Sequence, residues 1–270
     1  MSMKLSLALA GIIKSITSIQ REERAIRNRL LVRDLLTDYS EIKTKRGNIK
    51  LICRDRREVH YVKHFFDREP DTLNWIEEFA ESSIFWDVGA NTGIYSIYAA
   101  LGTNVKVFAF EPASASYASL CNNIAVNSLD GDIISLCMGF FNSTELTKLS
   151  MQEVEAGGAM HRFSALDLEV EKNNQSFIFQ STLSFSIDEF VEIYNLSSPN
   201  YLKIDVDGVE DRILSGASKT LQSKNLRSVL IETAGRNADD SEKLHKLFEG
   251  FGFTENKKIN YGHDTIFFKP

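Results

Sequence analysis

Cysteine is scarce in this chain of 270 residues. Cys53, Cys121 and Cys137 lie far apart, with no C-x-x-C pair. Neither a disulfide framework nor a structural zinc site is indicated, and a reduced, cytoplasmic setting fits. An excess of basic charge is also missing. The net charge is −6, which argues against a general nucleic-acid binder, because neutralising phosphates needs a basic face. No run reaches the ~20 apolar residues of a membrane-crossing helix. The opening "MSMKLSLALAGIIK" has the look of a signal peptide, but Lys14 closes its apolar run early. No clean A-x-A site follows, and the pattern continues as the charged helix "SIQREERAIRNRLLVRDLL". Walker loops, G-x-S-x-G elbows, internal repeats and low-complexity tracts are absent as well.

What remains, 43% hydrophobic and 25% charged, suits an ordinary globular protein. Residues 1–38 read as one or two helices, with Ile12, Ile16, Ile19, Ile26 and Leu30 at helical spacing. They serve to pack on the main domain, or as a homodimer contact, a partner-binding helix or a membrane-surface helix. "SEIKTKRGNIKLICRD" predicts a hairpin turning at Arg46-Gly47-Asn48. "PDTLNWIEEFAES" predicts a helix facing inward through Leu73, Ile76 and Phe79. These segments divide the chain into an N-terminal part, 1–59, and a main domain, 60–270.

From Ile84 short apolar runs alternate with helices. "IFWDVG", "VKVFAFE", "DIISLCMGF", "NYLKIDV" and "RSVLIET" read as strands, each followed by a helix except the third. That rhythm predicts an α/β fold, a doubly wound, Rossmann-like and mostly parallel sheet. "FTENKKI" and "DTIFFKP" have no helix between them, so they should pair as a hairpin with the final strand antiparallel. The polar stretch 143–185 breaks the rhythm and reads as a hairpin or lid insertion.

Ligands of such sheets bind at the carboxyl ends of the strands, where strand order reverses. The loop "WDVGANTGIYS" sits there. It reads D-x-G-x-N-x-G rather than the G-x-G-x-x-G of a dinucleotide site. Asp87 at its start would repel a pyrophosphate and suits a cation such as an amino-acid ammonium. Glu111 ends the next strand, 24 residues on (111 − 87), where a carboxylate can accept both hydroxyls of a ribose. A ligand with a ribose, an ammonium and no phosphate fits S-adenosylmethionine. Gly89, Asn91 and Gly93 complete the loop. Thr72 is a candidate for the methionine carboxylate or a helix cap, and Asn142 a candidate for the adenine.

"FWDVGANTGIYS", "VFAFEPASASYASLCNN" and "YLKIDVDGVEDRILSGA" resemble the signature segments of the FkbM-like family of class I S-adenosylmethionine-dependent methyltransferases, and "FFDREPDTLNW" its lead-in helix. The resemblance covers roughly residues 60–234. It implies a seven-stranded sheet with an antiparallel last strand, and O-methylation of hydroxyls on small natural products, sugars or glycans. The family often has glutamate where this chain has Asp207.

Methyl transfer needs an acceptor oxygen placed beside the methyl group and relieved of its proton. In "YLKIDVDG" the alternation of a strand puts Lys203, Asp205 and Asp207 on one face, with Asp205 and Asp207 at its carboxyl end. Glu232 reaches the same rim. A carboxylate there orients or deprotonates the acceptor, or Asp205 and Glu232 hold a divalent cation such as Mg2+. Asp207 has a structural reading as a helix cap. His161, in "GGAMHRF", and His263, in "YGHD", are the histidines placed to face the crevice. Two rivals remain: a cofactor-binding scaffold without turnover, and a dinucleotide oxidoreductase, which Asp87 disfavours.

Overall fold

The structure is a computed structural model. It describes residues 2–37, 39–54, 56–151, 162–165, 178–206, 208–256 and 264–270. Asp207, His161 and His263 lie outside the described residues. Two helices open the chain, α1 (Ser2–Ser18) and α2 (Glu22–Leu36), packed on each other. A hairpin follows, β1 (Tyr39–Thr44) with β2 (Gly47–Ile52). Three short helices come next: α3 (Arg56–Lys63), α4 (Phe65–Arg68) and α5 (Pro70–Glu77). Strands and helices then alternate through β3 (Ile84–Val88), α6 (Ile94–Ala100), β4 (Lys106–Phe110), α7 (Ser114–Val126) and β5 (Ile133–Leu136). A second sheet interrupts them with β6 (Gly139–Phe140), β7 (Glu145–Met151), β8 (Arg162–Ala165) and β9 (Ile178–Phe185). The alternation resumes with α8 (Ile187–Ile193), β10 (Tyr201–Ile204), α9 (Glu210–Ser215), α10 (Ser218–Gln222), β11 (Ser228–Glu232) and α11 (Ala238–Gly250). It closes on β12 (Thr254–Glu255) and β13 (Asp264–Phe268).

The main sheet has seven strands in the order β12-β13-β11-β10-β3-β4-β5. β10, β11, β3, β4 and β5 pair in parallel, whereas β13 runs antiparallel to β11 and pairs with β12 as a hairpin. Strand order reverses between β3 and β10, which fixes the crevice at their carboxyl ends. Helices cover both faces, so the central strands are apolar on both sides. Phe85 packs in one layer with Trp75 and Ile97, and Trp86, one residue on, packs in the other with Phe110, Phe140 and Phe190.

The N-terminal hairpin joins the first of these layers through Ile42, Ile49 and Leu51. Its two-residue turn is Lys45-Arg46, one residue earlier than the sequence suggested, because Thr44 pairs with Gly47 and Gly47 (φ +133°) leaves the turn. That register aims Arg46 at the carbonyls of Ile76, Tyr98 and Ala99. These lie at the carboxyl ends of α5 and α6, where helices have no internal partners for their last carbonyls. The predicted helix over 70–82 stops at Glu77. In the 143–185 insertion, β7 pairs antiparallel with β9 along its whole length.

Candidate active site

The loop between β3 and α6 has three residues with positive φ: Gly89 (+84°), Asn91 (+52°) and Gly93 (+83°). This explains why glycine and asparagine stand at those places. Gly89 has a second reason. A Cβ there would lie 2.0 Å from the Asp205 carbonyl oxygen, so the loop can press on the end of β10 only without a side chain. Glu111 holds the loop from below. Its Oε2 accepts from the Asn91 N–H and its Oε1 from the Ala113 N–H, each at 2.8 Å.

Sheet register brings the charged groups together. Lys203 stands beside Asp87 in the β10–β3 pairing, and Glu232 opposite Asp264 in the β11–β13 pairing. Tyr201, Leu230 and Ile266 face the α5–α6 layer, so Lys203, Asp205, Glu232 and Asp264, at even steps from them, face the same way. Four carboxylates surround the Lys203 ammonium, which is 1% exposed. It is bonded to Asp205 Oδ2 and lies 5.4 Å from the Tyr95 ring centre. Burial alone would lower the pKa of Lys203. Asp205, Asp87, Glu69 and Asp264 outweigh that and hold it well above its ordinary value.

The acids answer in kind. Burial raises Asp87, against the pull of Lys203 and of Ser96, whose hydroxyl donates to Asp87 Oδ2 at 2.6 Å. Asp87 Oδ1 is buried with no hydrogen-bond partner among the described residues. Burial also raises Glu69, opposed by Lys203 and reinforced by Asp205. Asp264 rises to about 7, through burial first, with Asp205 and Glu69 adding to it and Lys203 opposing. The Thr72 hydroxyl lies 3.3 Å from Glu69 Oε2 and 3.4 Å from Asp264 Oδ2. One hydroxyl hydrogen serves only one of these acids at a time. Burial and Glu69 in turn raise the Tyr95 phenol well above its usual value.

These groups border a cavity of about 800 Å³, mouth included, within the range of small-molecule sites. Of the predicted residues, Gly89, Asn91, Asp205 and Glu232 line it. Asp87 and Thr72 are buried and are not among its lining residues, and Glu111 and Gly93 shape the loop. Asn142 is not among the residues lining this cavity; it follows β6, with its Cα 3.3 Å from where a Gly216 Cβ would be. Sequence reasoning missed Glu69, Arg68 and Tyr61, supplied by α3, α4 and the residue after them, and Tyr95 on α6. The guanidinium of Arg68 lies over the Tyr61 ring at 4.2 Å on the cavity wall. Among the described residues, no group of three or more His, Cys, Asp or Glu side chains is arranged to hold a metal ion.

S-adenosylmethionine fits this arrangement. The buried, unpartnered Asp87 Oδ1 suits an ammonium donor, and a cavity with more carboxylates than cations suits a ligand that is positive at its nitrogen and its sulfur. Sheet and site together define a methyl-donor-binding enzyme of the doubly wound α/β class. Residues 87–254 match the model of the methyltransferase FkbM domain. The chain is 31% identical over 191 residues to the hexuronic acid methyltransferase of Haloferax volcanii, covering 71% of this chain and 72% of that one. It is 24% identical over 157 residues to methyltransferase 1 of Beauveria bassiana, covering 52% and 61%. Among solved structures, the methyltransferase FkbM of Methylobacillus flagellatus aligns with a TM-score of 0.45 at 14% identity, over 79% of this chain and 62% of that one. The chain belongs to the FkbM family of S-adenosylmethionine-dependent methyltransferases.

Proposed function

We propose that the protein methylates a hydroxyl oxygen of a sugar, and that a sugar acid is the acceptor. The observation that carries this reading is the wall formed by Arg68 on Tyr61. Arg68 pairs with Glu69 at 3.5 Å but its side chain is 43% exposed, so it can still meet a ligand, while Lys203, the other cation lining the cavity among the described residues, is buried and bonded to Asp205. An aromatic face with a guanidinium over it suits a sugar ring bearing a carboxylate. The hexuronic acid methyltransferase is the relative whose name agrees with it.

The bound cofactor supplies an electrophilic methyl group. The chain's own residues do the rest. Asp87 Oδ1 accepts from the cofactor ammonium, and the outer lone pairs of Glu111 accept from its ribose. Asn91 and Thr72 fix the loop and the acid pair beside it. Asp205, oriented by Lys203, or Glu232 accepts the hydrogen of the acceptor hydroxyl. His161 and His263 are the alternative bases, and Asn142 the proposed adenine contact. Mg2+ held by Asp205 and Glu232 is the second reading, favoured by both lining one cavity; it requires the ion to displace Lys203 from Asp205.

The test is methyl transfer from labelled S-adenosylmethionine to glucuronate and to glucose, before and after chelation. The reading expects transfer to glucuronate, chelator-insensitive, with Arg68→Ala raising KM for the acid and sparing cofactor affinity. Asp205→Asn should keep cofactor binding and cut turnover. Cofactor binding without transfer to any sugar would favour the scaffold alternative. Tight NAD binding with no S-adenosylmethionine binding would refute the whole reading.

A further inference from the structure

α1 places Leu5, Leu9, Ile12 and Ile16 at i, i+4, i+7 and i+11, and Ile19 continues the series in the turn that follows. This spacing puts five aliphatic side chains on one face. The five are between 51% and 87% exposed. A different face meets α2. There Thr17 and Ala25 are buried, Arg29 Nε donates to the Thr17 hydroxyl at 2.8 Å, and Asn28 Nδ2 donates to Gln20 Oε1 at 2.8 Å. The stripe is therefore not what joins the two helices. α2 adds Ile26 and Leu30, one turn apart and 48% and 45% exposed.

The charge of this hairpin is opposite to that of the body. Residues 1–36 hold seven Lys and Arg against three Asp and Glu, which is +4. The chain as a whole carries −6, so the remainder carries −10. Lys4, Lys14, Arg21, Arg24 and Arg27 are exposed, and none is in an ion pair with a described residue.

We propose that the helical hairpin seats the enzyme on an anionic lipid surface, independently of what it methylates. An exposed aliphatic stripe beside unpaired cations is the composition of a helix that lies in the headgroup boundary. No helix among the described residues is long and apolar enough to cross a membrane, so the hairpin lies on the surface. A second copy of the hairpin fits this face less well, because +4 would be stacked on +4. The body, at −10, is repelled by the same lipids, so attachment is confined to the hairpin and the rest of the enzyme is held off the surface.

Co-sedimentation of the full chain with vesicles tests this. Vesicles of phosphatidylglycerol and phosphatidylcholine in equal parts should bind it at least about tenfold more than phosphatidylcholine alone, since each basic residue near such a surface contributes appreciably. Raised salt should weaken the binding. Ile12→Glu with Ile16→Glu should abolish it, and Lys14→Glu with Arg24→Glu and Arg27→Glu should remove its lipid-charge dependence. Both variants should retain S-adenosylmethionine affinity, which reports a folded body. No binding by the unaltered chain, or binding indifferent to lipid charge, overturns the proposal. So does a dimer that Ile12→Glu with Ile16→Glu dissociates while vesicles bind neither form; the stripe is then an interface between copies.

Discussion

Asp264 should make cofactor affinity a function of pH. Its carboxyl is raised to about 7 by burial, with Asp205 and Glu69 beside it, and Lys203 is not enough to reverse this. Near pH 6 the free enzyme therefore holds a proton there that it has shed by pH 8. A ligand carrying an ammonium and a sulfonium favours the ionised acid, so binding should release that proton. If only the ionised form binds, affinity rises about tenfold between pH 6 and pH 8. S-adenosylhomocysteine, which lacks the sulfonium charge, should show a shallower rise. The free protein should behave in the opposite sense. The folded state binds this proton more tightly than the unfolded chain, so stability contributed by the protonated acid is complete below the ordinary carboxylate range. It declines as pH climbs from about 4 to about 7 and is flat above. Calorimetric titration in buffers of different ionisation enthalpy reads both affinity and proton release. Asp264→Asn, which keeps the shape and cannot ionise, should flatten the slope. A flat wild-type affinity, or an unchanged slope in Asp264→Asn, refutes the reasoning.

Lys203→Met should cost about 3–5 kcal/mol of folding stability in urea denaturation at pH 8, because it leaves buried carboxylates without their counter-charge. The loss should shrink at pH 5, below the value of about 7 to which Asp264 is raised; equal losses at both pH values would count against the charge cluster. Glu111→Gln keeps one acceptor of the two that hold Asn91 and Ala113, so stability should fall by about 1.5–3 kcal/mol along with cofactor affinity. A stability equal to wild type would show that the two backbone bonds do not hold the loop. Gly89→Ala forces a Cβ against the Asp205 carbonyl at a positive φ, a strain of about 1–3 kcal/mol that the loop must relieve by moving. Wild-type cofactor affinity in that variant would disprove the close approach.

The parts of the site legible in the sequence are those carried by local pattern. "FWDVGANTGIYS" gives its strand by composition and its turn by glycine and asparagine, and both are where the pattern puts them. The antiparallel last strand follows from the missing helix before it. The residues that were missed depend on neighbours far away in sequence. Lys203 shows the limit: alternation placed it on the face of Asp205, to which it is bonded, yet its sheet neighbour Asp87 lies 116 positions earlier (203 − 87) and is reached only through strand register. A lysine within an otherwise apolar central strand was the available signal. Asp264 stands one residue after His263, which was chosen for its residue type, although the same rim argument covers both. Glu69, Arg68 and Tyr61 come from a polar stretch, "REVHYVKHFFDRE", whose helices are short. Such helices draw their stability from packing rather than from a periodic pattern of their own.

The buried cluster also bears on whether this fold is a scaffold or an enzyme. Grouping Glu69, Asp87, Asp205 and Asp264 around one ammonium is a poor way to stabilise a sheet rim, since apolar side chains of similar volume usually do as well or better. Raised acids at Glu69, Asp87 and Asp264 are the sign of that cost. A protein that only needed the fold would gain by losing them. The cost becomes intelligible if a cation arrives to balance the charge, for then the same repulsion that weakens the empty site strengthens binding of a positive ligand and rejects a phosphate-bearing one. A neutral methyl donor product, with one positive charge fewer, is then held less tightly than the donor itself, which favours its release after transfer.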